Sequence, residues 1–222
     1  HFFYNFVTKL ICMYKNSSQT NYRQQLREKI LQTSMAEFMS KGIRAVKMDD
    51  IAASLGISKR TLYEIYSNKE ELLLEGVKFQ EEQYDAHMMS FEKDPSNNVI
   101  DIIIEFYNKQ IQWLSGINPL YFSDIQKYSQ VVSYFETRDS ERKKDKMSFY
   151  RRGIKEGVFR DDVDYDVLSR ILNASIEYVK RTQMYKEYDL ARILNNIILL
   201  FIRGVCTYDG IKQFAALLSS RS

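Results

Sequence analysis

The chain has 222 residues, of which 45% are hydrophobic, and 32 Lys and Arg against 29 Asp and Glu give a formal charge of +3 at pH 7. This apolar fraction is enough for a folded core and excludes a mostly disordered chain. Only 8 Gly and 2 Pro are present, too few for the turns of β-sandwiches, barrels or Rossmann-like folds, so the composition predicts an all-α protein.

Residues 1–20 are rich in apolar and aromatic side chains but lack the cationic start and the small-residue cleavage site of a signal peptide. We interpret them as a flexible N-terminal extension, and the polar stretch after Met13 favours that residue as the natural start. A first helix is predicted from near Tyr22 to Gly42, because apolar residues recur there three and four positions apart.

Two short helices are predicted next, over residues 48–55 and about 58–66, and a long helix follows from Asn68 to about Phe91. A polar linker around Pro95 then interrupts the helical pattern. We therefore expect a small N-terminal domain over residues 21–70 and a second domain over residues 71–222.

The second domain is predicted to be a helical bundle. Residues 99–114 are apolar on nearly all sides, which is typical of a helix surrounded by its neighbours. Further helical patterns cover residues 120–135, 140–156, 165–185 and 190–206 approximately. The predicted total is about nine helices.

Cysteine usage and hydropathy indicate the compartment. Cys12 and Cys206 lie far apart without CxxC spacing, so neither a disulfide framework nor a zinc site is expected. No apolar run reaches the roughly 18 to 20 residues of a membrane span. We expect a cytoplasmic protein with no metal, no cofactor and no membrane contact.

Residues 51–65 read IAASLGISKRTLYEI and have the spacing of a helix-turn-helix. Ala52 is small where two helices cross, and Gly56 can take the positive φ of a tight turn. The apolar positions shared by the two helices are Ile51, Leu55, Ile57, Leu62 and Ile65. The outward positions of the second of them are Lys59, Arg60, Thr61 and Tyr63. An ordinary helical hairpin has no reason to collect such residues on its exposed side.

The stretch VKMDDIAASLGISKRTLYEIYSNKEELL, residues 46–73, resembles the DNA-binding domain of the TetR/AcrR family of transcriptional regulators. GVFRDDVD and FIRGVCTYDG, residues 157–164 and 201–210, resemble a turn and a helix end of the same family. The resemblance implies a homodimeric repressor, or less often an activator, whose third helix enters the DNA major groove. Its later helices would bind a small effector that releases a palindromic operator.

The candidate DNA contacts follow from side-chain chemistry and from the resemblance. Lys59 and Arg60 can donate to guanine or phosphate, Thr61 can meet a base edge, and Ser58 can hold a phosphate at the helix start. The resemblance adds Tyr63, Tyr66 and Lys69 as phosphate contacts. It also places Lys47 where a capping Ser or Thr is usual, and this lysine could reach a phosphate instead. Capping would then pass to Asp49 or the backbone.

Aromatic residues are dense in the second domain, and most are expected to be bundle core. By analogy with similar proteins, six aromatic residues are expected to line an effector cavity: Tyr107, Trp113, Phe122, Tyr128, Tyr150 and Tyr178. The last two long helices carry wide apolar stripes, which indicate a surface for a partner. The resemblance implies that this partner is a second copy of the chain, so that the protein is a homodimer through these helices.

The sequence fits two other function classes less well. An enzyme is disfavoured because His1 and His87 are the only histidines and no nucleophile, metal or phosphate-binding motif is recognised. A helical protein-interaction adaptor without specific DNA binding would explain the apolar stripes but not residues 58–72. The basic run within residues 142–155 is interpreted as a solvated helix face.

Overall fold

A computed structural model describes the backbone of residues 2–141 and 143–220 and the side chains of residues 21–138 and 147–218. Met13, Cys12 and the first part of the basic run, residues 142–146, therefore have side chains outside the described residues. The chain forms two compact units, His1–Phe79 and Gln80–Ser222. Both are helical, which confirms the predicted all-α class; within the described residues the one β-type contact is an isolated bridge between Phe159 and Cys206.

The described part of the chain has eleven α-helices rather than about nine. They are α1 (Phe2–Lys41), α2 (Met48–Leu55), α3 (Lys59–Ile65), α4 (Lys69–Lys93), α5 (Val99–Leu114), α6 (Pro119–Ile125), α7 (Ser129–Glu141), α8 (Lys143–Lys155), α9 (Tyr165–Thr182), α10 (Leu190–Val205) and α11 (Tyr208–Ser220). A short 3₁₀ helix, Met184–Lys186, lies between α9 and α10. No helix within the described ranges is long and apolar enough to cross a membrane.

The first helix differs from its prediction. It begins at Phe2 instead of near Tyr22, so the backbone of residues 2–20 is helical where a flexible extension was expected. The physical reason is that neither Gly nor Pro occurs before Gly42, so no residue interrupts the helical hydrogen bonds.

The core of the first unit lies where α1, α2 and the start of α4 meet. Phe38, Ile51 and Leu73 have no exposed surface. Gly76 of α4 lies so close to Met35 of α1 that a Cβ added there would stand 2.5 Å from the Met35 sulfur. This close approach packs α4 directly against α1 in the core of the unit.

The second unit has its core around the first half of α5. Val99, Ile100 and Ile104 are buried there against Phe159 and Phe214. This confirms the prediction of a central helix for its N-terminal half, whereas Trp113 near its C-terminus is 40% exposed.

The prediction for the second unit was wrong in two helix boundaries and missed one helix. The single helix expected over residues 120–135 is divided, because Lys127 and Tyr128 donate their backbone N–H groups three residues back in tight turns. The helix expected to reach residue 185 ends at Thr182, where Gln183 is left-handed with φ 54°. Helix α11 was missed; Thr207 begins it by accepting the Gly210 N–H at its side-chain oxygen.

Candidate nucleic-acid interface

The turn between α2 and α3 has the predicted geometry. Gly56 has φ 65°, and its N–H donates to Ala53 O at 3.1 Å while the next N–H, of Ile57, donates to Ala52 O at 3.0 Å. Ser58 then caps α3: its Oγ accepts the Thr61 N–H at 3.0 Å. The turn and the cap fix the direction in which α3 leaves α2.

The two helices are held by the predicted apolar contacts. Ile51 of α2 and Leu62 of α3 are fully buried, and Leu55, Ile57 and Ile65 are half-buried around them. Since Leu62 and Ile65 occupy one side of α3, the opposite side faces solvent.

Four of the candidate DNA contacts lie on that exposed side. Lys59, Arg60 and Tyr63 are exposed, with 88% of the Arg60 side chain accessible. Ser58 is exposed at the start of the helix, next to backbone N–H groups that favour a phosphate. Thr61 is only half-buried, and its hydroxyl lies 2.8 Å from Ser58 Oγ, so it supports the cap as well as the surface.

Both cations of α3 are paired with carboxylates. Lys59 Nζ donates to Asp49 of α2, and Arg60 Nε donates to Glu64 Oε1 at 2.8 Å on the same helix. These hydrogen bonds raise the pKa of the Lys59 ammonium and of the Arg60 guanidinium above their ordinary values, so both groups stay charged. Sequence reasoning missed the carboxylates, although the i,i+4 spacing of Arg60 and Glu64 is the signal for their contact.

Tyr66 was wrongly predicted as a phosphate contact. Its side chain has no exposed surface, and the Arg27 guanidinium lies 5.2 Å from the centre of its ring. Burial also raises the pKa of its hydroxyl. The sequence contained the reason, because Tyr66 follows the buried Leu62 by four positions and so lies on the same face.

Lys69 also has a different position from the one predicted. Its Nζ donates to Ile43 O and Val46 O, both at 2.9 Å, so the ammonium closes the loop between α1 and α2. Near that loop Lys47 is exposed, as a phosphate contact requires. Its backbone N–H donates to Asp50 at 2.9 Å, so Asp50 supplies the capping contact for which Asp49 or the backbone was expected.

The six aromatic residues predicted to line one cavity occupy different places. Tyr150 stacks on Tyr165 at 4.5 Å in the core, and Trp113 meets the edge of Phe122 at 6.0 Å, while Tyr178 is 54% exposed on α9.

The remaining two are half-buried elsewhere. Tyr107 donates its hydroxyl to Asn195 at 3.1 Å, and Tyr128 precedes α7. The six residues therefore differ in burial and in their neighbours, and their role as the lining of an effector cavity stays a prediction.

An open apolar groove of about 770 Å³ lies between α9 and α10. Of the predicted aromatic residues, Tyr178 lines it, together with Ile171, Val179, Ile193 and Ile197. The four aliphatic residues belong to the two apolar stripes predicted to pair with a second copy.

Comparison with known proteins shows which family the helix-turn-helix resembles. Residues 30–75, which cover the helix-turn-helix and its supporting helices, match the family model described as bacterial regulatory proteins, tetR family. Over these residues the chain is similar to the TetR family. TetR-family proteins are transcriptional regulators rather than enzymes, and this one is a DNA-binding regulator.

Relatives extend the likeness beyond the TetR-family motif. The HTH-type transcriptional repressor KstR2 of Mycobacterium tuberculosis is 27% identical over 172 residues, which are 70% of this chain and 78% of that protein. The uncharacterized HTH-type regulator YvaF of Bacillus subtilis is 35% identical over 85 residues, 36% of this chain and 43% of that one.

The fold has solved counterparts. A putative transcriptional regulator from Saccharomonospora viridis, crystallised in complex with choline, matches with a TM-score of 0.65 at 19% identity. The match covers 83% of this chain and 99% of that one. A TetR-family regulator from Agrobacterium tumefaciens matches with a TM-score of 0.64 at 15% identity, over 83% and 99% of the two chains.

Proposed function

We propose that the chain acts as a homodimeric repressor that binds a palindromic operator through α3 and releases it when a small effector binds. The observation that carries the proposal is the exposed face of α3, where two cations stand at a Ser58-capped helix start. The repressor relatives support the direction of regulation. In the dimer the two α3 helices would lie about one DNA turn apart, roughly 34 to 36 Å.

Each exposed residue of this face has a proposed role. Arg60 and Lys59 donate to guanine O6 and N7 or to phosphates, since both are exposed cations with several N–H donors. Ser58, Tyr63 and Lys47 would contact phosphates and so position the helix without reading the sequence. Thr61 would contact a base edge with its hydroxyl after the hydrogen bond between that hydroxyl and Ser58 Oγ breaks.

The apolar face of α9 and α10 is the proposed dimer contact. Residues on these helices and the short turn between them are exposed although apolar: Val167, Ile171, Ile176, Tyr178, Tyr188 and Leu200. A second copy applying the same face would cover them around a two-fold axis and match the symmetry of a palindromic operator. Residues 21–70 would thus serve DNA binding and residues 71–222 dimerisation and effector binding.

The effector is proposed to bind within the second unit near Trp113 and Phe122. Their rings, with the neighbouring Tyr185 5.9 Å from Phe122, offer flat apolar surface for a lipophilic ligand. Helix α4 contains residues of both units. An effector that shifts its C-terminal half would therefore favour the released form of the DNA-binding unit over the operator-bound form.

Binding to DNA tests the function directly. Purified protein is titrated with the duplex upstream of its own gene and with a scrambled duplex of the same composition, at several salt concentrations. We expect tighter binding to the genuine segment, with affinity falling as salt rises because counterions are released from phosphates. Equally weak binding to both duplexes and to a genome-wide fragment pool would contradict the proposal.

A further inference from the structure

The helix-turn-helix surface is electrically balanced. Residues 47–66 contain three cationic side chains, Lys47, Lys59 and Arg60, and three carboxylates, Asp49, Asp50 and Glu64. A surface without net charge attracts the DNA backbone only weakly, so little non-specific affinity comes from α3 itself.

Glu64 is the carboxylate on the exposed face of α3. It accepts the Arg60 Nε–H at 2.8 Å, and 54% of its side chain is accessible. Asp49 lies on α2, and the Asp50 carboxylate accepts the backbone N–H of Lys47. Of these three carboxylates, Glu64 is the one that any DNA contacted by Arg60 must also meet.

A carboxylate discriminates strongly among the groups of DNA. It repels phosphates and the acceptor atoms N7 and O6 of guanine, because an ionised carboxylate has no proton to donate. It accepts from the amino group of cytosine N4, the established partner of Glu in the major groove. Arg60 has the opposite preference, and its two terminal NH₂ groups can meet guanine while Nε remains with Glu64.

We propose that Glu64 is a specificity-determining residue, which accepts a hydrogen bond from a cytosine amino group beside a guanine contacted by Arg60 and disfavours sequences lacking that cytosine. The inference rests on the proposed DNA contact of α3. It assigns α3 a pair of adjacent contacts of opposite charge. The pairing in the free protein holds both side chains near each other, so less side-chain freedom is lost when DNA binds.

Selection from a random-sequence duplex pool tests the inference. Wild-type protein, Glu64→Gln, Glu64→Ala and a control variant are each selected separately, and the enriched sequences are compared. We expect the wild type to enrich adjacent guanine and cytosine. Glu64→Ala should lose the preference at the cytosine, and Glu64→Gln should move it toward adenine, with which Gln pairs.

The control is Glu28→Gln on α1. Glu28 accepts a hydrogen bond from Gln24 at 2.9 Å and lies on α1, away from the α3 face. Its substitution changes the net charge by the same amount as Glu64→Gln but leaves α3 unaltered. Circular dichroism confirms the helical fold of each variant. On a scrambled duplex we expect Glu64→Gln to bind several-fold tighter than Glu28→Gln.

The wild-type consensus duplex is then compared with one in which the cytosine pair is replaced by T·A. We expect about tenfold discrimination by the wild type and almost none by Glu64→Ala. If both Glu64 variants keep the base preference of a selective wild type, the role of Glu64 is overturned but the DNA contact of α3 is not. A wild type that enriches no sequence would overturn the DNA contact of α3 as well.

Discussion

The exposed faces of α3 and of α9–α10 are built in opposite ways. On α3, Lys59 and Arg60 each contact a carboxylate, so charges are exposed but already paired. On α9 and α10, Ile171 and Leu200 are 54% and 73% exposed without any charge of their own. The first face suits a partner that exchanges directional hydrogen bonds with it, and the second suits a partner that removes apolar surface from water.

Ile171→Asp should give the largest effect, on the apolar face. A carboxylate buried in an apolar contact loses its hydration, so we expect the dimer dissociation constant to rise by about a hundredfold or more. Sedimentation velocity over a range of protein concentrations measures it. Leu120→Asp, a change at an exposed apolar residue of α6, is the control and should leave the dimer intact. Dimers of normal strength in Ile171→Asp would remove this face from the interface.

Arg60→Ala should give the next largest effect, on the charged face of α3. Loss of the guanidinium removes a base contact, and operator affinity should fall by about tenfold to a hundredfold while dimerisation is unchanged. Fluorescence anisotropy with a labelled operator measures the change. Arg160→Ala removes an exposed, ion-paired arginine of the second unit and is the charge-matched control. An equal loss in both variants would mean that net charge, rather than the position of Arg60, determines binding.

Lys69→Met distinguishes two roles of Lys69, a structural contact that supports the DNA-binding unit and a direct contact with DNA. The substitution leaves the carbonyls of Ile43 and Val46 without the ammonium, so the free energy of unfolding should fall by about 1 to 3 kcal/mol. Urea denaturation followed by circular dichroism measures it. Operator affinity at temperatures where the variant is folded should change less than in Arg60→Ala. Normal stability with a large loss of DNA affinity would restore Lys69 as a phosphate contact.

Tyr66→Phe should have the smallest effect. Only a buried hydroxyl is removed, so we expect operator affinity within about twofold of the wild type and a change in unfolding free energy below about 1 kcal/mol. The same anisotropy and denaturation measurements apply. A tenfold loss of operator affinity in a variant of normal stability would show that the hydroxyl does reach DNA.

The helix-turn-helix was predictable because its pattern is local. Gly56, Ser58 and the apolar positions Ile51 and Leu62 lie within twelve residues, and each acts on neighbours a few positions away. The burial of Tyr66 was also encoded locally, by its spacing from Leu62, but the family resemblance concealed it. The division between α6 and α7 had no such signal, because neither Gly nor Pro lies between residues 120 and 135.

The sequence by itself determined the helical class, the family resemblance of the helix-turn-helix and the exposed face of α3, because these depend on composition and on contacts between residues close in the chain. Only the tertiary structure decided that Lys69 closes the loop carrying Val46, that Tyr150 packs on Tyr165, and that Tyr178 lines the groove between α9 and α10. These positions depend on contacts between residues from 15 to more than 20 positions apart along the chain. Helical periodicity specifies which face of a helix is buried but not which neighbour covers it.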